Sequence, residues 1–420
     1  MQSRKLSLGF LAAAIVAVTL LGAATRSAAQ QKYTVLHSFY RSTDGAGPSP
    51  TVIFGAADNL FGTTYWGGTY SNGTVFELYP IGGGGWNEKV LHTFGGGKDG
   101  SNPSYGSLIF DAAGNLYGET FHGGTYGGGT AFELKPGPHG GWSEKVLHHF
   151  GSAKDGSNPV GGLIFDAAGN LYGTAQFGGT YGGGTAFELH PNANGGWTER
   201  VLHNFGSGTD GVQSAAGLIF DAAGNLYGTT WVGGAYGAGV VFELTPTAGG
   251  GWAEKVLHNF GSGTDGANAQ ARLIFDSASN LYSTTSFGGT SSSGTVFELT
   301  PNAGGSWTET VIHNFGNGTD GVFPISGSLI FDAAGNLYGT TSQGGLYDYG
   351  IFDGGGILFE LTPNAGGAWT ETVLHNFGNG TDGALPLSGV IFDAAGNIYG
   401  TASAGGPYGD NAGNVFEVRP

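Results

Sequence analysis

Apolar positions along this chain come in short runs with a spacing of two, broken at regular intervals by glycine. In "GLIFDAAGNLYGTT" (217–230) the apolar run "LIF" enters a tight turn of the glycine/asparagine kind and "NLYGTT" returns antiparallel to it. After a glycine-rich loop comes a strand such as "GTVFELTP" (294–301), in which apolar and polar residues alternate. A second loop, "NAGG" (302–305), leads into "WTETVLHNF" (369–377 in its last copy), which also alternates. No segment carries a helical period over the length that a helix needs. Each unit therefore predicts four antiparallel strands.

The unit recurs seven times. Its "VLHNF" motif places histidines at His37, His92, His148, His203, His258, His313 and His375, with gaps of 55, 56, 55, 55, 55 and 62 residues. A period of this size, one four-stranded sheet per repeat, predicts an all-β, seven-bladed β-propeller, in which radial repetition leaves only short sheet edges. The ends fit a closed ring. The chain stops at "NVFEVRP" without the fourth strand of its last blade, and it starts with an orphan fourth strand, "KYTVLHSF" (32–39), that can complete it. A β-solenoid is the alternative array, but it needs capping repeats, and none is visible. The organisation expected is a signal peptide at 1–29 followed by one propeller over 30–420, with an insertion in blade six near 344–356.

The signal peptide rests on Arg4 and Lys5 ahead of the apolar stretch 8–24, with small residues before a cleavage site after Ala29. Secretion or a periplasmic location follows, and no later segment is apolar enough to span a bilayer. Net charge is −17; cleavage removes three of the 14 basic residues and takes it to −20. So acidic a chain, with no basic cluster, is a poor partner for nucleic acid or an anionic membrane. Cysteine is absent, which excludes disulfides, thiol catalysis and cysteine metal sites. Glycine supplies 86 residues, yet aromatics reach 13%, far above the level of a disordered tail.

The residues "LIFDAAGNLYGTT", the "GG" loop, "GTVFEL" and "VLHNF" resemble the GloVer tandem repeat of exported bacterial choice-of-anchor proteins, over about 33–420. The shorter "DAAGNLY" core is similar to NHL-type propeller repeats, which are mostly binding scaffolds. The resemblance implies a cell-surface or secreted role and lends no catalytic residues.

A residue present in every blade is first expected to build the blade. Each repeat histidine precedes an aspartate by seven residues, giving His37 and Asp44, His92 and Asp99, His148 and Asp155, His203 and Asp210, His258 and Asp265, His313 and Asp320, and His375 and Asp382. Seven equal acid–base or metal centres are implausible, so these are expected to be structural pairs locking strand four to its outgoing loop. The strand-three glutamates (Glu77, Glu133, Glu188, Glu243, Glu298, Glu360 and Glu417) are expected to pair across strands or to be solvated, and the "DAAG" aspartates to bind their own turns. No metal and no cofactor is expected. The nearest approach to a structural calcium loop is "GNGTDG" (316–321), with Asn317, Thr319 and Asp320 but only one carboxylate.

Function is expected where the repeats differ. The loop joining strands two and three carries Trp66, Phe121, Phe177, Trp231 and Phe287 before its "GG", with tyrosines nearby. Such faces suit stacking on sugars or apolar groups. The blade-six insertion adds Asp348, Tyr349 and Asp353, and blade five has Arg272 where other blades carry Gly, Ser or Thr before the inner strand. Arg272 is expected to face the central channel and to share a site with the insertion. The reading is a monomeric binding or scaffold module for an extracellular polysaccharide or protein. The alternatives are a polysaccharide hydrolase or lyase using Asp348, Asp353 and Asp410, or a structural envelope component.

Overall fold

The computed structural model describes residues 32–40, 43–95, 97–103, 105–152, 154–325, 327–349, 354–407 and 412–419; the expected signal peptide at 1–29 lies outside the described residues. Seven four-stranded antiparallel blades form a closed propeller. Blade one runs from its innermost strand Ile53–Phe54 through Leu60–Thr64 and Thr74–Ile81 to the outer strand Gly85–Thr93. The other blades repeat this order. Blade seven takes three strands from the end of the chain, Ile391–Phe392, Ile398–Ala402 and Asn414–Arg419, and its fourth, Lys32–Ser38, from the beginning. Thr34 sits opposite Glu417 and Val35 opposite Phe416, so the ring closes as the two incomplete ends predict.

Two features depart from the strand pattern read in the sequence. The innermost strand pairs over only two residues in each blade, because the chain turns at once into a hairpin, "DAAG" in five of the seven blades. The outer strand does not alternate throughout. In every blade its register slips at the leucine or isoleucine before the histidine, as at Leu202 between the pairs His203–Ala186 and Val201–Phe187. The extra residue is a β-bulge, and a bulge re-aims the side chains that follow it. It is the bulge that allows Leu202 to enter the core while His203 still reaches its aspartate.

The core is divided among seven clusters, one in each gap between neighbouring blades. One of them joins Tyr117, Leu147 and Phe150 of blade two to Leu163, Leu171, Phe187 and Leu189 of blade three. A pair of fully buried phenylalanines stands at the centre of each gap. The ring centroids of Phe150 and Phe187 are 4.8 Å apart, and those of Phe39 and Phe76, across the closure, 5.1 Å. Nearer the rim the tyrosine of one blade meets the tryptophan of the next edge-on, as Tyr172 meets Trp252 at 6.4 Å. In six blades the phenylalanine packs over a glycine of strand two: a Cβ on Gly173 would lie 2.6 Å from Phe187 Cζ. Blade five has Ser283 at this position, and its hydroxyl donates to the Ala271 carbonyl.

Since no blade buries its own faces, closure should govern stability. A chain lacking 32–38 leaves the strand Asn414–Arg419 as an unpaired edge, which is prone to pair with other chains. Calorimetry and gel filtration should show a lower Tm and concentration-dependent association. An unchanged Tm in a monomer would refute this account of the ring.

Candidate functional site

The polar groups repeated in each blade are engaged in holding the blade and its outgoing loop in shape. Histidine Nε2 and aspartate Oδ2 lie 3.0–3.5 Å apart in all seven pairs. The second aspartate oxygen commonly holds the outgoing loop: Asp210 Oδ1 accepts the Gly206 amide at 3.0 Å. The hairpin aspartates and strand-three glutamates share a tyrosine. The Tyr172 hydroxyl lies 3.2 Å from Asp166 Oδ2 and 3.1 Å from Glu188 Oε1, while Asp166 Oδ1 accepts the Ala168 and Asn170 amides. Burial works against ionisation of Asp166, but its hydrogen bonds outweigh burial and hold it below the usual carboxylate value.

The sequence reading gave no partner to the outer-strand glutamates Glu88, Glu144, Glu199, Glu254, Glu309 and Glu371. Each is set toward the aspartate of the preceding repeat, with one buried oxygen lacking a hydrogen bond. Burial, reinforced by that aspartate, pushes the first five up to about 7. In the closing strand Tyr33 replaces the glutamate; its hydroxyl donates to the Asp382 carbonyl and its ring stacks on His375 at 4.0 Å. Among the described residues one group has the spacing of a metal site: His313, Asp320 and Glu371 offer ligand atoms within 4.8 Å of one another. The signal for this convergence was the constant offset of glutamate four residues before six of the seven histidines.

The loop face divides the predicted aromatics. Trp66, Phe177 and Phe287 are exposed, whereas Phe121 and Trp231 are half-buried and the Trp231 Nε1 is left without a hydrogen bond. The division follows strand alternation, since the exposed three are second in their pairs and the other two are first. Tyr70, Tyr126, Tyr181 and Tyr236, from the "GGTY" and "GGAY" loops of four successive blades, are 54–61% exposed. Tyr65 joins this face to the channel mouth: it meets Trp66 edge-on at 4.7 Å and stacks on Tyr105 at 5.8 Å. In the insertion Asp348 is exposed and Tyr349 half-buried, while Asp353, like Asp410, lies outside the described residues.

A central cavity of about 490 Å³ receives residues from all seven blades. Its wall includes Tyr105, Gln270, Arg272 and Ser328. Arg272 thus faces the channel, as its position predicts. Asp348 and Tyr349 are not part of that wall, so the described part of the insertion does not share this cavity with Arg272.

One residue escaped the sequence reading. Blade two has Glu119 where six blades carry threonine (Thr63, Thr174, Thr229, Thr284, Thr340 and Thr401). Four of those threonines donate to a carbonyl of the next blade, as Thr174 does to Ala216 at 3.1 Å. Glu119 is only 3% exposed; its Oε2 accepts the Gly162 amide at 3.0 Å, and its Oε1 has no partner. Burial outweighs that hydrogen bond and pushes the carboxyl up to about 8. The signal was present as "YGET" against "YGTT", masked by the attention that repeated residues attract.

The Gloeobacter/Verrucomicrobia repeat model matches residues 22–219 and 195–416, and the chain belongs to this family. No curated protein matches it. Similar solved structures include a protein from Thermus thermophilus described as a putative oxidoreductase (glucose dehydrogenase), at 15% identity and TM-score 0.43, covering 74% of this chain and 95% of that one. A gluconolactonase from Xanthomonas campestris matches at 14% identity and TM-score 0.43, covering 92% and 99%. A protein of unknown function from Dyadobacter fermentans matches at 10% and 0.45, covering 92% and 96%. Likeness at this level carries no argument about chemistry. No helix among the described residues is long and apolar enough to cross a membrane.

The raised carboxyls set a pH dependence. A carboxyl whose value rises on folding binds more protons folded than unfolded, so it supports the fold below its unfolded value of 4.5 and loses that support as pH rises through about 7 or 8. Burial lowers His92, His203 and His258, which opposes this on the acid side, below their ordinary value of 6.5. Tm should therefore fall from about pH 6 to about pH 8. Glu119→Thr, which installs the residue of the other blades, should raise Tm near pH 8 and flatten the fall. A variant profile that parallels the parent would count against a protonated Glu119.

Proposed function

We propose that this propeller is an extracellular binding module that takes a neutral polysaccharide across its aromatic loop face. The observation that carries the reading is the row of solvent-exposed Tyr70, Tyr126, Tyr181 and Tyr236, flanked by Trp66 and Phe177, on consecutive blades. Large aromatic surfaces left in water on a protein whose core is filled by other aromatics point to a partner. Their spacing along an arc suits a chain ligand, because successive rings can stack on the apolar faces of successive sugars. The net charge of −17 disfavours a polyanionic glycan and favours a neutral one. Export, read from the N-terminal segment, would place such a module where polysaccharides are met. The hydrolase or lyase alternative rests on Asp348, Asp353 and Asp410, of which only Asp348 is described, exposed and outside the cavity wall.

The test is the Tm of the protein against a panel of neutral and acidic polysaccharides, since a ligand that binds only the folded state raises it. A neutral glucan or mannan should raise Tm, and Trp66→Ala or Tyr126→Ala should weaken its affinity about tenfold, on the order of 1.4 kcal/mol. Equal affinity in both variants would exclude this face.

A further inference from the structure

The innermost residues of the ring are small. At the position two residues before the inner strand the blades carry Thr51, Ser107, Gly162, Gly217, Arg272, Ser328 and Gly389. Backbones crowd here: a Cβ on Gly217 would lie 2.3 Å from the Gly161 carbonyl oxygen and 3.5 Å from Arg272 Cδ. Six blades thus leave the axis to neutral atoms, and one projects a guanidinium into it. Among the described residues Arg272 is the only charged one lining the cavity. Among those residues it makes neither an ion pair nor a side-chain hydrogen bond, whereas Arg200 and Arg419 each face a glutamate. It is half-buried, and burial lowers its proton affinity, so the guanidinium gives up part of its water on the channel wall without gaining a protein partner. Glu119, behind Gly162, does not supply the missing charge, because its carboxyl holds its proton up to about 8.

A half-buried arginine without a protein partner gives the fold little, and nothing in the blade architecture needs it, since six blades manage without one. We propose that the central cavity is a binding site for a small organic carboxylate, gripped by Arg272 through the fork of its guanidinium. This site is separate from the aromatic loop face and does not rest on it. The charge count selects the class. One cation neutralises one negative charge, so a monocarboxylate leaves the site neutral, whereas a phosphate dianion leaves a buried negative charge. The fork of guanidinium donors matches the two oxygens of a carboxylate. The hydroxyls of Thr51, Ser107 and Ser328, in the equivalent positions of three other blades, suit a ligand that also carries hydroxyl groups. A volume of about 490 Å³ takes a molecule of monosaccharide size.

Calorimetric titration of the full chain at low ionic strength with galacturonate, galactose and inorganic phosphate tests this. Galacturonate should bind saturably, galactose should give no heat, and phosphate should bind more weakly than galacturonate. Arg272→Gln should weaken galacturonate at least tenfold while the ligand-free variant melts at the same temperature or higher. Arg272→Lys, which keeps the charge but not the fork, should lose less, and Trp66→Ala should change nothing. The last arm separates this site from the loop face. The proposal is overturned if galactose binds as well as galacturonate, if neither anion binds, or if Arg272→Gln binds like the parent. Tighter binding of phosphate would overturn the assignment to a carboxylate.

Discussion

Each blade of this protein is a four-stranded sheet with two apolar faces, and neither can be buried by the blade itself. The constraint that follows is contact between neighbours, all the way round. The phenylalanine pairs, such as Phe150 with Phe187, lie in the gaps between blades, as do the leucines and the tyrosine–tryptophan contacts around them. Stability is therefore a property of the closed ring. The strand Lys32–Ser38 carries a weight out of proportion to its seven residues, because it completes blade seven and supplies one side of two such gaps.

The same constraint explains where the polar residues go. Strand ends and hairpins in a thin-walled ring would leave backbone groups unpaired, and buried polar groups need partners. The repeated histidines, aspartates and tyrosines meet that need, as in the His203–Asp210 pair and the shared proton of Tyr172. The outer-strand glutamates pack against the preceding repeat's aspartate and hold protons near neutral pH. These groups resemble catalytic clusters in composition, but they recur with the blades and hold each blade and its loops together. Departures from symmetry are what distinguish one sector of the ring from another. Arg272 puts an unpaired cation on the axis and Glu119 puts a neutral acid behind the channel wall, while the exposed tyrosines of the "GGTY" and "GGAY" loops fall in blades one to four.

Strand number, blade number and the closure by Lys32–Ser38 were legible in the sequence, because they follow from local periodicity and from counting. Turn residues fix where a hairpin reverses, alternation fixes which residues enter the gap, and an orphan strand at one end with a three-stranded blade at the other permits only one completion. The inward position of Arg272 was legible for the same reason, since its place in the repeat is that of residues on the axis. Tertiary structure alone decided what depends on distance between repeats. It set the bulge at Leu202 and its counterparts, which no alternation pattern announces, and it brought Glu371 beside His313 and Asp320 from the preceding repeat. It also separated Asp348 from the cavity that holds Arg272 and left Glu119 buried with one oxygen unpaired. Such outcomes depend on how closely two blades approach and on what fills the space between them, and a periodic sequence specifies the members of that contact without specifying its geometry.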